Sequence, residues 1–477
     1  MKLSQILKDV KTLNTYEDVE ISGLTDDSRK LVPGCLFVCI EGARFDGHTV
    51  AEWALENGAV SVLTQKDLGL DRQIVVEDTR EAYSLAAGAF FGNPARQLKL
   101  VGITGTNGKT TTSFILREVL EKAGYKTGLI GTVRNYTCGE VIESNLTTPD
   151  PMDLHALFDK MVKSGCEYCV MEVSSQALDQ KRVAGLNFEV AAFTNLSQDH
   201  LDYHGSQEEY KKAKSALFKQ CSLAVINLDD EAADYYIGEA ECPVLTYSAK
   251  SDMADFTAKN IQPFNDGIKY EFVGKGVIGR IHFHMPGLFS VYNSMAAAAC
   301  ATGLGVELRS VLEALAFASG VPGRMEVVET GKDYTVIIDF AHTPDGLENV
   351  LKAVGEIAKG RIITLFGCGG DRDRAKRPLM GEIATRLSDL VVVTSDNPRT
   401  EKPEAIIDDI LAGIKTNKKS VRVEVDRKKA IGLALSLAKE GDIVLLAGKG
   451  HETTQTLADK TIEFDERKIV KEILANK

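Results

Sequence analysis

Short apolar strands alternate with helix-like segments along most of the chain, and the alternation starts afresh after Pro322-Gly323. Before this break, strand-like runs lie at residues 98–104, 128–133, 169–173, 190–195 and 223–228. After it, further runs lie at 335–340, 361–367, 390–396, 421–425 and 442–448. Such alternation predicts parallel sheets that helices cover on both faces. The restart predicts two separate sheets of this kind.

The run at 98–104 leads into a glycine-rich loop, TGTNGKTT at residues 104–111, and then into a helical pattern. The glycines allow backbone N–H groups to surround a phosphate, Lys109 offers a positive charge, and the Thr110 hydroxyl suits Mg²⁺. The strict P-loop pattern needs glycine at position 103, where Ile103 stands. We predict a P-loop variant; the alternative is a tight glycine turn with an exposed lysine.

We predict an α/β fold with three domains. A chain of 477 residues is long enough for several domains, because one domain takes about 100 to 200 residues. The first 95 residues carry short alternating elements, and Asn93-Pro94 interrupts them. We expect a small N-terminal α/β domain over 1–95, a central P-loop ATPase-like domain with a parallel sheet over 96–325, and a C-terminal Rossmann-like doubly wound domain over 326–477.

The composition excludes several classes of protein. Hydrophobic residues make up 44% of the chain and charged residues 26%, which is typical of globular proteins and not of disordered or coiled-coil chains. The net charge of -12 disfavours nucleic-acid binding. No apolar run approaches the roughly 18 residues of a membrane span, and the amino terminus lacks the pattern of a signal peptide. We expect a cytoplasmic protein without membrane insertion or nucleic-acid partners.

Nine cysteines are scattered along the chain, and most lie in apolar runs. We expect reduced, mostly buried thiols, as in cytoplasmic proteins. Cys166 and Cys169 have C-x-x-C spacing, but a structural zinc site needs a second pair of ligands that the sequence does not offer. We therefore expect neither zinc nor redox chemistry at this pair.

Two acidic or histidine-bearing segments are candidates for a metal site beside the P-loop. Glu172 ends an apolar strand, so its carboxylate should emerge at the sheet edge, where an acid commonly holds the metal of a nucleotide. His200 and His204 have i, i+4 spacing, but Leu201 occupies the place of the glutamate that a zinc protease needs. Taken alone, each histidine is better explained as an ordinary hydrogen-bonded residue than as a metal ligand.

Polar clusters follow four strand-like runs of the last block, at residues 339–345, 367–377, 396–401 and 448–452. Ligands of doubly wound sheets bind outside the carboxyl ends of the strands, so these clusters should share one edge. Arg372, Arg374 and Arg399 carry planar donor groups suited to carboxylate or phosphate, and Pro398 stiffens the loop before Arg399. We predict an anion site here; the alternative is a solvated run of charges.

The order of motifs along nearly the full chain resembles the Mur ligases, which add amino acids to the peptidoglycan precursor. The motifs are GTNGKTT, EVSSQALDQKR, FTNLSQDHLDYH, YKKAKSALF, VYNSMAAAA, VPGRME, DFAHTPD, GCGGDRDRAKRP, DNPRTE and AGKGHE. The resemblance implies that the three domains bind the UDP-sugar, ATP and the incoming amino acid, respectively. The DNPR loop resembles that of the members that add meso-diaminopimelate.

The activity implied by the resemblance is an ATP-dependent ligation in peptidoglycan precursor synthesis. Meso-2,6-diaminopimelate would be joined to the D-Glu carboxylate of UDP-MurNAc-L-Ala-D-Glu through an acyl phosphate, with ATP and Mg²⁺, and we expect a monomer. The alternatives are an L-lysine-adding Mur ligase and another amide ligase such as folylpolyglutamate synthase. A further alternative is a nucleotide-dependent switch that hydrolyses ATP without ligation.

The resemblance also implies roles for individual residues. The catalytic set is Lys109, Glu172, His200 and Lys214. Lys214 resembles the lysine that is carbamylated in this family, and it would bind metal together with Thr110, Glu172 and His200. ATP would contact Gly105, Thr106, Asn107, Gly108, Lys109, Thr110, Thr111, Thr112, Asn293, Arg324 and His342. The UDP-MurNAc-dipeptide would contact Ser28, Thr147, Thr148, Ser174, Gln180 and Arg182. Diaminopimelate would contact Arg372, Asp396, Asn397, Pro398, Arg399, Gly448 and Glu452.

Overall fold

The computed structural model describes residues 1–42, 45–197, 199–264, 267–318, 320–415 and 420–475. The chain forms two compact units, residues 1–257 with 295–311 and residues 258–294 with 312–477. Three sheets rich in parallel strands confirm the predicted α/β fold. The domain boundaries expected near residues 95 and 325 stay predictions. Of the helices in the described ranges, none has the length and apolar character needed to cross a membrane.

The N-terminal sheet has four parallel strands in the order β1-β2-β3-β4. The strands are β1 (Leu24–Thr25), β2 (Cys35–Val38), β3 (Ala59–Thr64) and β4 (Gln73–Val75). The helices are α1 (Leu3–Ile6), α2 (Ala51–Glu56) and α3 (Thr79–Phe90). Successive strand residues point to opposite faces, so Leu36 packs in the cluster of α1 and α3 while Phe37 packs in that of α2. Helices therefore cover both faces.

The central sheet of the first unit runs in the order β12-β11-β10-β5-β9-β6-β7-β8. Its strands are β5 (Lys99–Thr104), β6 (Thr127–Ile130), β7 (Arg134–Thr137), β8 (Glu140–Glu143), β9 (Tyr168–Glu172), β10 (Phe188–Phe193), β11 (Ala224–Asn227) and β12 (Val244–Ser248). All pairs are parallel except β6-β7 and β7-β8. The helices are α4 (Lys109–Lys122), α5 (Pro151–Lys163), α6 (Ser175–Asp179), α7 (Leu201–His204), α8 (Gln207–Ser215) and α9 (Ala233–Glu239).

Three strands and two helices follow before the last sheet. They are β13 (Phe256–Phe264), β14 (Gly267–Gly274), β15 (Val277–Phe283), α10 (Leu288–Gly303) and α11 (Leu308–Leu315). Strands β14 and β15 pair in antiparallel register, from Ile268 opposite Phe283 to Gly274 opposite Val277. The predicted βα alternation did not include this antiparallel pair, because the two strands are joined by a short turn without a helix.

The C-terminal sheet runs in the order β16-β17-β21-β18-β19-β20, and only β16 is antiparallel to its neighbour. Its strands are β16 (Glu326–Val328), β17 (Thr335–Asp339), β18 (Ile362–Phe366), β19 (Leu390–Val393), β20 (Val421–Val423) and β21 (Ile443–Ala447). The helices are α12 (Pro344–Ile357), α13 (Lys376–Leu387), α14 (Pro403–Ala412), α15 (Arg427–Leu437) and α16 (Glu466–Ala475). A hairpin of β22 (Thr454–Thr456) and β23 (Thr461–Glu463) precedes α16.

Helices cover both faces of the C-terminal sheet, as predicted for a doubly wound fold. Ile337 packs with residues of α12, α13 and α14, whereas Val336 and Ile338 pack with residues of α15 and α16. The parallel strands β17, β18, β19 and β21 therefore end at one edge, as the central strands β5, β9 and β10 do in the first unit. These two edges carry the polar clusters.

Cys138 and Cys166 form a disulfide, so the expectation of reduced thiols is wrong for these two residues. Cys138 follows β7 and Cys166 follows α5, and the fold brings their Cα atoms to 5.9 Å. The two cysteines are 28 positions apart in the sequence, so their spacing gave no sign of this proximity. Cys169 is buried in the central core and is a free thiol. Cys166 therefore pairs with Cys138 and not with Cys169 of the C-x-x-C spacing.

Gly381 lies within α13 at a point where α14 comes close. A Cβ at this position would overlap the carbonyl oxygen of Ile410. We expect Gly381→Ala to force the helices apart and to lower the free energy of unfolding by about 2 kcal/mol. Gly355 in α12 has no such neighbour within 4 Å, so Gly355→Ala should raise that free energy by about 0.5 to 1 kcal/mol. Urea unfolding measures both; equal effects would contradict the close approach.

Candidate active site

The glycine-rich loop joins the end of β5 to the start of α4, as the sequence predicts. Gly105 and Gly108 have φ angles of 144° and 87°, a region that residues with a Cβ rarely adopt. A side chain at position 105 would also overlap the Thr194 hydroxyl. The two glycines are therefore required by the backbone path of the loop.

Residues that follow β10 hold this loop in shape. The backbone N–H of Thr106 donates to the Asn195 carbonyl oxygen over 2.8 Å, and that of Asn107 donates to Asn195 Oδ1 over 2.9 Å. The Thr194 hydroxyl donates to the Asn107 carbonyl oxygen over 2.6 Å. No role was predicted for Thr194 or Asn195, although both lie in the FTN segment at the end of β10. Their contacts preorganise the loop.

The Lys109 side chain turns back over the loop. Its Nζ donates to the carbonyl oxygens of Gly105 and Thr106, each over 2.9 Å. The same loop leads into the first turn of α4, whose N-terminal N–H groups favour an anion. Thr111 and Thr112 continue that turn and are buried. Lysine and helix terminus together supply positive potential at one place.

Glu172 lies fully buried at the end of β9, next to the loop. Its Oε2 accepts hydrogen bonds from the hydroxyls of Thr110 and Thr132, over 2.9 and 3.0 Å. Its Oε1 accepts one from the backbone N–H of Thr132 over 2.8 Å. A buried carboxylate needs such donors. The structure thus brings together two predicted metal ligands, Thr110 and Glu172, and adds Thr132, for which no role was predicted.

Lys214 comes from α8 to the same loop. Its side chain is 1% exposed, and its Nζ donates to the Gly105 carbonyl oxygen over 3.1 Å. The ring centroid of Tyr210 lies 4.4 Å from the amine. Burial, and secondarily the charge of Lys109, hold the pKa of the Lys214 amine well below its ordinary value. Both effects shift the equilibrium of this amine towards its uncharged form.

His200 pairs with its neighbour in the chain. Its Nε2 lies 3.4 Å from Asp199 Oδ2, and both side chains are half exposed. The backbone of His200 is left-handed, with φ at 51°. His204 donates to or accepts from the Ser175 hydroxyl over 3.0 Å. Within the described residues, no group of three or more His, Cys, Asp and Glu side chains is arranged as a metal site.

The residues assigned to the acceptor sugar-peptide form a connected group beside Glu172. The Thr147 hydroxyl lies 3.0 Å from that of Thr132, and the Thr148 hydroxyl donates to the Glu172 carbonyl oxygen over 2.9 Å. The backbone N–H of Ser174 donates to the Thr148 hydroxyl over 3.0 Å. These threonines are therefore fixed relative to the P-loop.

Arg182 and Gln180 complete this group. Arg182 Nη1 donates to the Thr148 carbonyl oxygen over 2.7 Å, and Nη2 donates to Gln180 Oε1 over 2.8 Å. Arg182 Nε also lies 3.1 Å from Asp150 Oδ1. Ser28 belongs to the N-terminal domain, in a short turn over Ser28–Lys30 that the Asp27 side chain caps. Five of the six predicted residues are thus connected, and Ser28 lies outside this group, in the turn between β1 and β2.

In the second unit, a cavity of about 300 Å³ lies at the carboxyl edge of the C-terminal sheet. Six of the seven residues assigned to diaminopimelate line it, and Pro398 alone does not. The lining residues are Phe340, His342, Gly367, Gly369, Arg372, Lys376, Asp396, Asn397, Arg399, Gly448 and Glu452. The predicted convergence of four polar loops is therefore present, and the cavity holds cations and carboxylates together.

The loop around Arg399 is held in a strained conformation close to the 367–377 loop. Arg399 has φ at 50°, and its Nη1 donates to the Gly370 carbonyl oxygen over 2.9 Å. A Cβ at Gly370 would overlap the Pro398 carbonyl oxygen. Residues with a Cβ rarely adopt such a φ angle, and it persists where surrounding contacts impose it. The guanidinium of Arg399 is therefore placed by the approach of two loops.

A buried cation, Lys449, organises the acidic side of the cavity. Its side chain is fully buried, and its Nζ donates to Glu452 Oε2 over 2.7 Å and to Asn397 Oδ1 over 3.1 Å. Asn397 Nδ2 donates to the same Glu452 oxygen over 2.9 Å. No role was predicted for this lysine, although it lies in the AGKGHE motif. Lys449 fixes both predicted ligands.

The arginines of the charge-rich loop separate into two roles. Arg372 borders the cavity, whereas Arg374 binds Asp409 over 2.9 Å and is not among the lining residues. Arg377 is fully buried, and its guanidinium binds Glu401 over 2.7 Å and Asp409 over 2.9 Å. That pairing holds the pKa of the Glu401 carboxyl at about 2. The interpretation as a solvated run is wrong for Arg377.

Three residues assigned to ATP lie in the second unit. Asn293 is buried in α10. The Arg324 guanidinium lies 5.0 Å from the Phe340 ring centroid. His342 Nδ1 lies 2.8 Å from the Phe340 carbonyl oxygen. Nearby Asp339 is buried, which raises the pKa of its carboxyl, while the charge of Arg324 opposes that rise.

Three family descriptions match successive parts of the chain. Residues 20–91 match the "Mur ligase family, catalytic domain", residues 103–301 match the "Mur ligase middle domain", and residues 323–450 match the "Mur ligase, glutamate ligase domain". The matches follow the order of the three sheets.

Individual relatives are similar over the whole length. The UDP-N-acetylmuramoyl-L-alanyl-D-glutamate--2,6-diaminopimelate ligase of Caldanaerobacter subterraneus subsp. tengcongensis is 49% identical over 482 residues, covering 100% of this chain and 99% of the relative. Ligase 1 of that name from Clostridium acetobutylicum is 47% identical, covering 99% of each chain. A solved structure of a ligase with that name is 32% identical, with a TM-score of 0.74, covering 100% of this chain and 99% of that one. The chain belongs to the Mur ligase family.

Proposed function

We propose that this enzyme joins meso-2,6-diaminopimelate to the D-Glu carboxylate of UDP-MurNAc-L-Ala-D-Glu, at the expense of ATP, in the synthesis of the peptidoglycan precursor. The observation that carries the proposal is the cavity at the C-terminal sheet, because it combines two arginines with two carboxylates. Diaminopimelate carries two carboxylates and two ammonium groups, so such a lining matches both kinds of charge. The names of the full-length relatives support the same substrates.

The chemistry requires activation of a carboxylate. A carboxylate is a poor electrophile because its charge repels the nucleophile and oxide is a poor leaving group. Transfer of the γ-phosphoryl group of ATP to the acceptor carboxylate gives an acyl phosphate and ADP. The uncharged amine of diaminopimelate then attacks the acyl carbon, phosphate leaves, and a proton is lost from nitrogen as the amide forms.

The P-loop side chains act on the phosphates. The N-terminus of α4 and the backbone N–H groups of the loop favour the phosphate oxygens, and Lys109 neutralises charge that builds up in transfer. In the structure Lys109 Nζ binds the loop carbonyls of Gly105 and Thr106. The lysine is therefore already held at the loop that would receive the nucleotide, which limits the reorganisation needed.

The Thr110 and Glu172 oxygens fit Mg²⁺, since this ion prefers hard oxygen ligands. They lie 2.9 Å apart in a buried hydrogen bond, which places two such oxygens together beside the loop. Bound Mg²⁺ would reduce the repulsion between ATP and the attacking carboxylate. His200 would complete a metal site only after leaving Asp199, which it contacts here. We therefore propose Thr110 and Glu172 as the primary metal ligands.

Lys214 is proposed as the carbamylated lysine. A neutral amine adds to CO₂ and loses a proton, which turns a cationic side chain into an anionic carbamate. Burial lowers the pKa of the Lys214 amine, which makes the uncharged form that this addition needs easier to reach. The carbamate oxygens would then supply negative charge beside the P-loop, where the amine now donates to Gly105.

A requirement for both the acceptor and the amino acid distinguishes the proposed function from its alternatives. Phosphate release from ATP should require both the UDP-MurNAc-dipeptide and an amino acid, and it should be faster with diaminopimelate than with lysine. A nucleotide-dependent switch would release phosphate without either. Folylpolyglutamate synthase would need a folate acceptor and glutamate. A coupled phosphate assay with an amino-acid panel distinguishes the three.

Lys109→Ala should abolish most of the ligation while leaving the fold intact. The charge on Lys109 acts in the transition state, so we expect kcat to fall on the order of 100-fold or more. Lys122→Ala, at the exposed end of the same helix, should change kcat by less than about twofold. Phosphate release and circular dichroism provide the measurements. Near-normal turnover of Lys109→Ala would refute the P-loop assignment.

Lys214→Ala should be nearly inactive, with kcat lower on the order of 100-fold. Small carboxylic acids such as acetate should restore part of the activity, because they replace the carbamate oxygens. Lys212→Ala removes an exposed lysine from the same helix and should behave like the unmodified enzyme. Wild-type activity of Lys214→Ala, or a free amine at Lys214 in a high-resolution crystal structure of active enzyme, would show that this role is wrong.

Arg399→Ala should lose specificity for diaminopimelate. This amino acid differs from lysine by a second carboxylate, which an arginine fork binds and lysine lacks. We expect kcat/KM for diaminopimelate to fall about tenfold or more, with a smaller effect on any lysine activity. Arg374→Ala removes a cation of the neighbouring loop that binds Asp409 instead, and it should preserve the specificity. If the unmodified enzyme preferred lysine, or if Arg399→Ala kept its preference for diaminopimelate, the proposed role of Arg399 in specificity would be wrong.

A further inference from the structure

Arg427 is a fully buried cation whose guanidinium reaches three separate segments of the C-terminal domain. Its Nε donates to Glu466 Oε1 over 2.8 Å, at the start of α16. Its Nη2 donates to the Ala447 carbonyl oxygen over 2.9 Å, and Nη1 donates to the Ser395 carbonyl oxygen over 3.3 Å. Ala447 ends β21 and Ser395 follows β19, so the side chain ties together two strand ends.

These strand ends lead directly into the cavity. Asp396 follows Ser395, and Gly448 follows Ala447; both line the cavity. Arg427 is not among the lining residues of that cavity, and it borders a different one on which Ser395 and Gln455 also lie. Any effect of Arg427 on the amino-acid substrate must therefore pass through residues such as Asp396.

The carboxylate of Asp396 is the group through which Arg427 can act. Its Oδ1 accepts a hydrogen bond from the Asn397 backbone N–H over 2.7 Å. Its Oδ2 is buried without a hydrogen-bond partner within the described residues and lies 3.8 Å from Arg427 Nη1. A buried carboxylate oxygen is costly unless a donor or cation satisfies it. Here Oδ1 has a hydrogen-bond donor, and Oδ2 has the guanidinium of Arg427 at 3.8 Å.

We propose that Arg427 is a positioning residue for the amino-acid substrate. It holds the Asp396 side chain so that Oδ2 can accept a hydrogen bond from an ammonium group of diaminopimelate, and Glu466 in turn holds Arg427. This inference rests on the proposed function and adds to it a buried pair that lies outside the cavity. Without the arginine, Asp396 loses the cation that orients it, and the carboxylate of Glu466 is left buried without its partner.

If Arg427 had only a structural role, its loss would lower stability without a selective rise of KM for diaminopimelate. A second arginine, Arg361, pairs with Asp442 over 2.6 Å at the opposite, amino-terminal edge of the same sheet. Loss of either ion pair should lower the free energy of unfolding. Of the two, only Arg427–Glu466 contacts the strand ends that lead into the cavity. Arg361→Met is therefore the matched control for stability without a change at the substrate site.

The test uses the double variant R427M/E466M, which replaces the buried pair by side chains of similar volume and avoids an unpaired carboxylate. We expect KM for diaminopimelate to rise about tenfold or more, while KM for ATP and for UDP-MurNAc-dipeptide stay within about twofold. Arg361→Met should leave all three KM values within about twofold. An equal rise of all three KM values in R427M/E466M would overturn the proposal.

A mutant cycle with Asp396→Asn decides whether Arg427 acts through Asp396. In the Asp396→Asn background, R427M/E466M should raise KM for diaminopimelate by less than about twofold, because the group that it positions is already altered. A full, independent effect in that background would overturn the proposal, as would an unchanged KM in R427M/E466M alone. Failure of the unmodified enzyme to use diaminopimelate would instead refute the proposed function.

Arg427→Lys is measured in parallel, so that the question is decided even if the double variant does not fold. Lysine keeps the charge but lacks the planar fork that reaches Glu466, Ala447 and Ser395 together. We expect KM for diaminopimelate to rise about threefold or more with KM for ATP unchanged. An unchanged KM for diaminopimelate in Arg427→Lys, or an equal rise in both values, would contradict the positioning role.

Discussion

The buried carboxylate of Glu172 ties the polar groups of the first unit together. Its side chain accepts from Thr110 in α4 and from Thr132 after β6, while its backbone carbonyl accepts from Thr148. Buried carboxylate and carbonyl oxygens both need donors; the segments of Thr110 and Thr132 supply them to the carboxylate, and that of Thr148 supplies one to the backbone carbonyl. The P-loop and the loop assigned to the acceptor are thereby fixed to one residue at the end of β9. Binding of Mg²⁺ at the proposed site would therefore affect both loops.

The second unit depends on a different constraint, the close approach of backbones at the edge of its sheet. Gly367 and Gly370 follow β18, and a Cβ at either would overlap the backbone that follows β19. Gly448 follows β21 with φ at 114°, and a Cβ there would meet Asp396 Oδ2 at 2.8 Å. Glycine at these positions lets three loops converge on a small cavity. Charged side chains can then face each other across a few ångströms.

Much of the fold follows from local pattern. The run predicted at 98–104 is β5 (Lys99–Thr104), and the run at 442–448 contains β21 (Ile443–Ala447). Apolar runs of this length indicate strands whose two faces are both buried, as in the centre of a parallel sheet. The pair of β14 and β15 and the Cys138–Cys166 disulfide were not predicted. Both depend on which segments lie side by side, and the periodicity of one segment carries no such information.

Local sequence patterns do not show which distant segments meet, and this also explains which site residues were predicted and which were missed. Lys109, Thr110 and Glu172 stand next to strand ends, so their placement followed from topology, whereas Lys214 was found only through the resemblance to the family. Buried cations were missed because a charged residue in a polar segment looks solvated until its partner is known. Arg427 is buried because Glu466, 39 residues further along the chain, meets it across the domain. A buried ion pair is therefore a property of the fold, and it becomes visible only when distant segments are placed together.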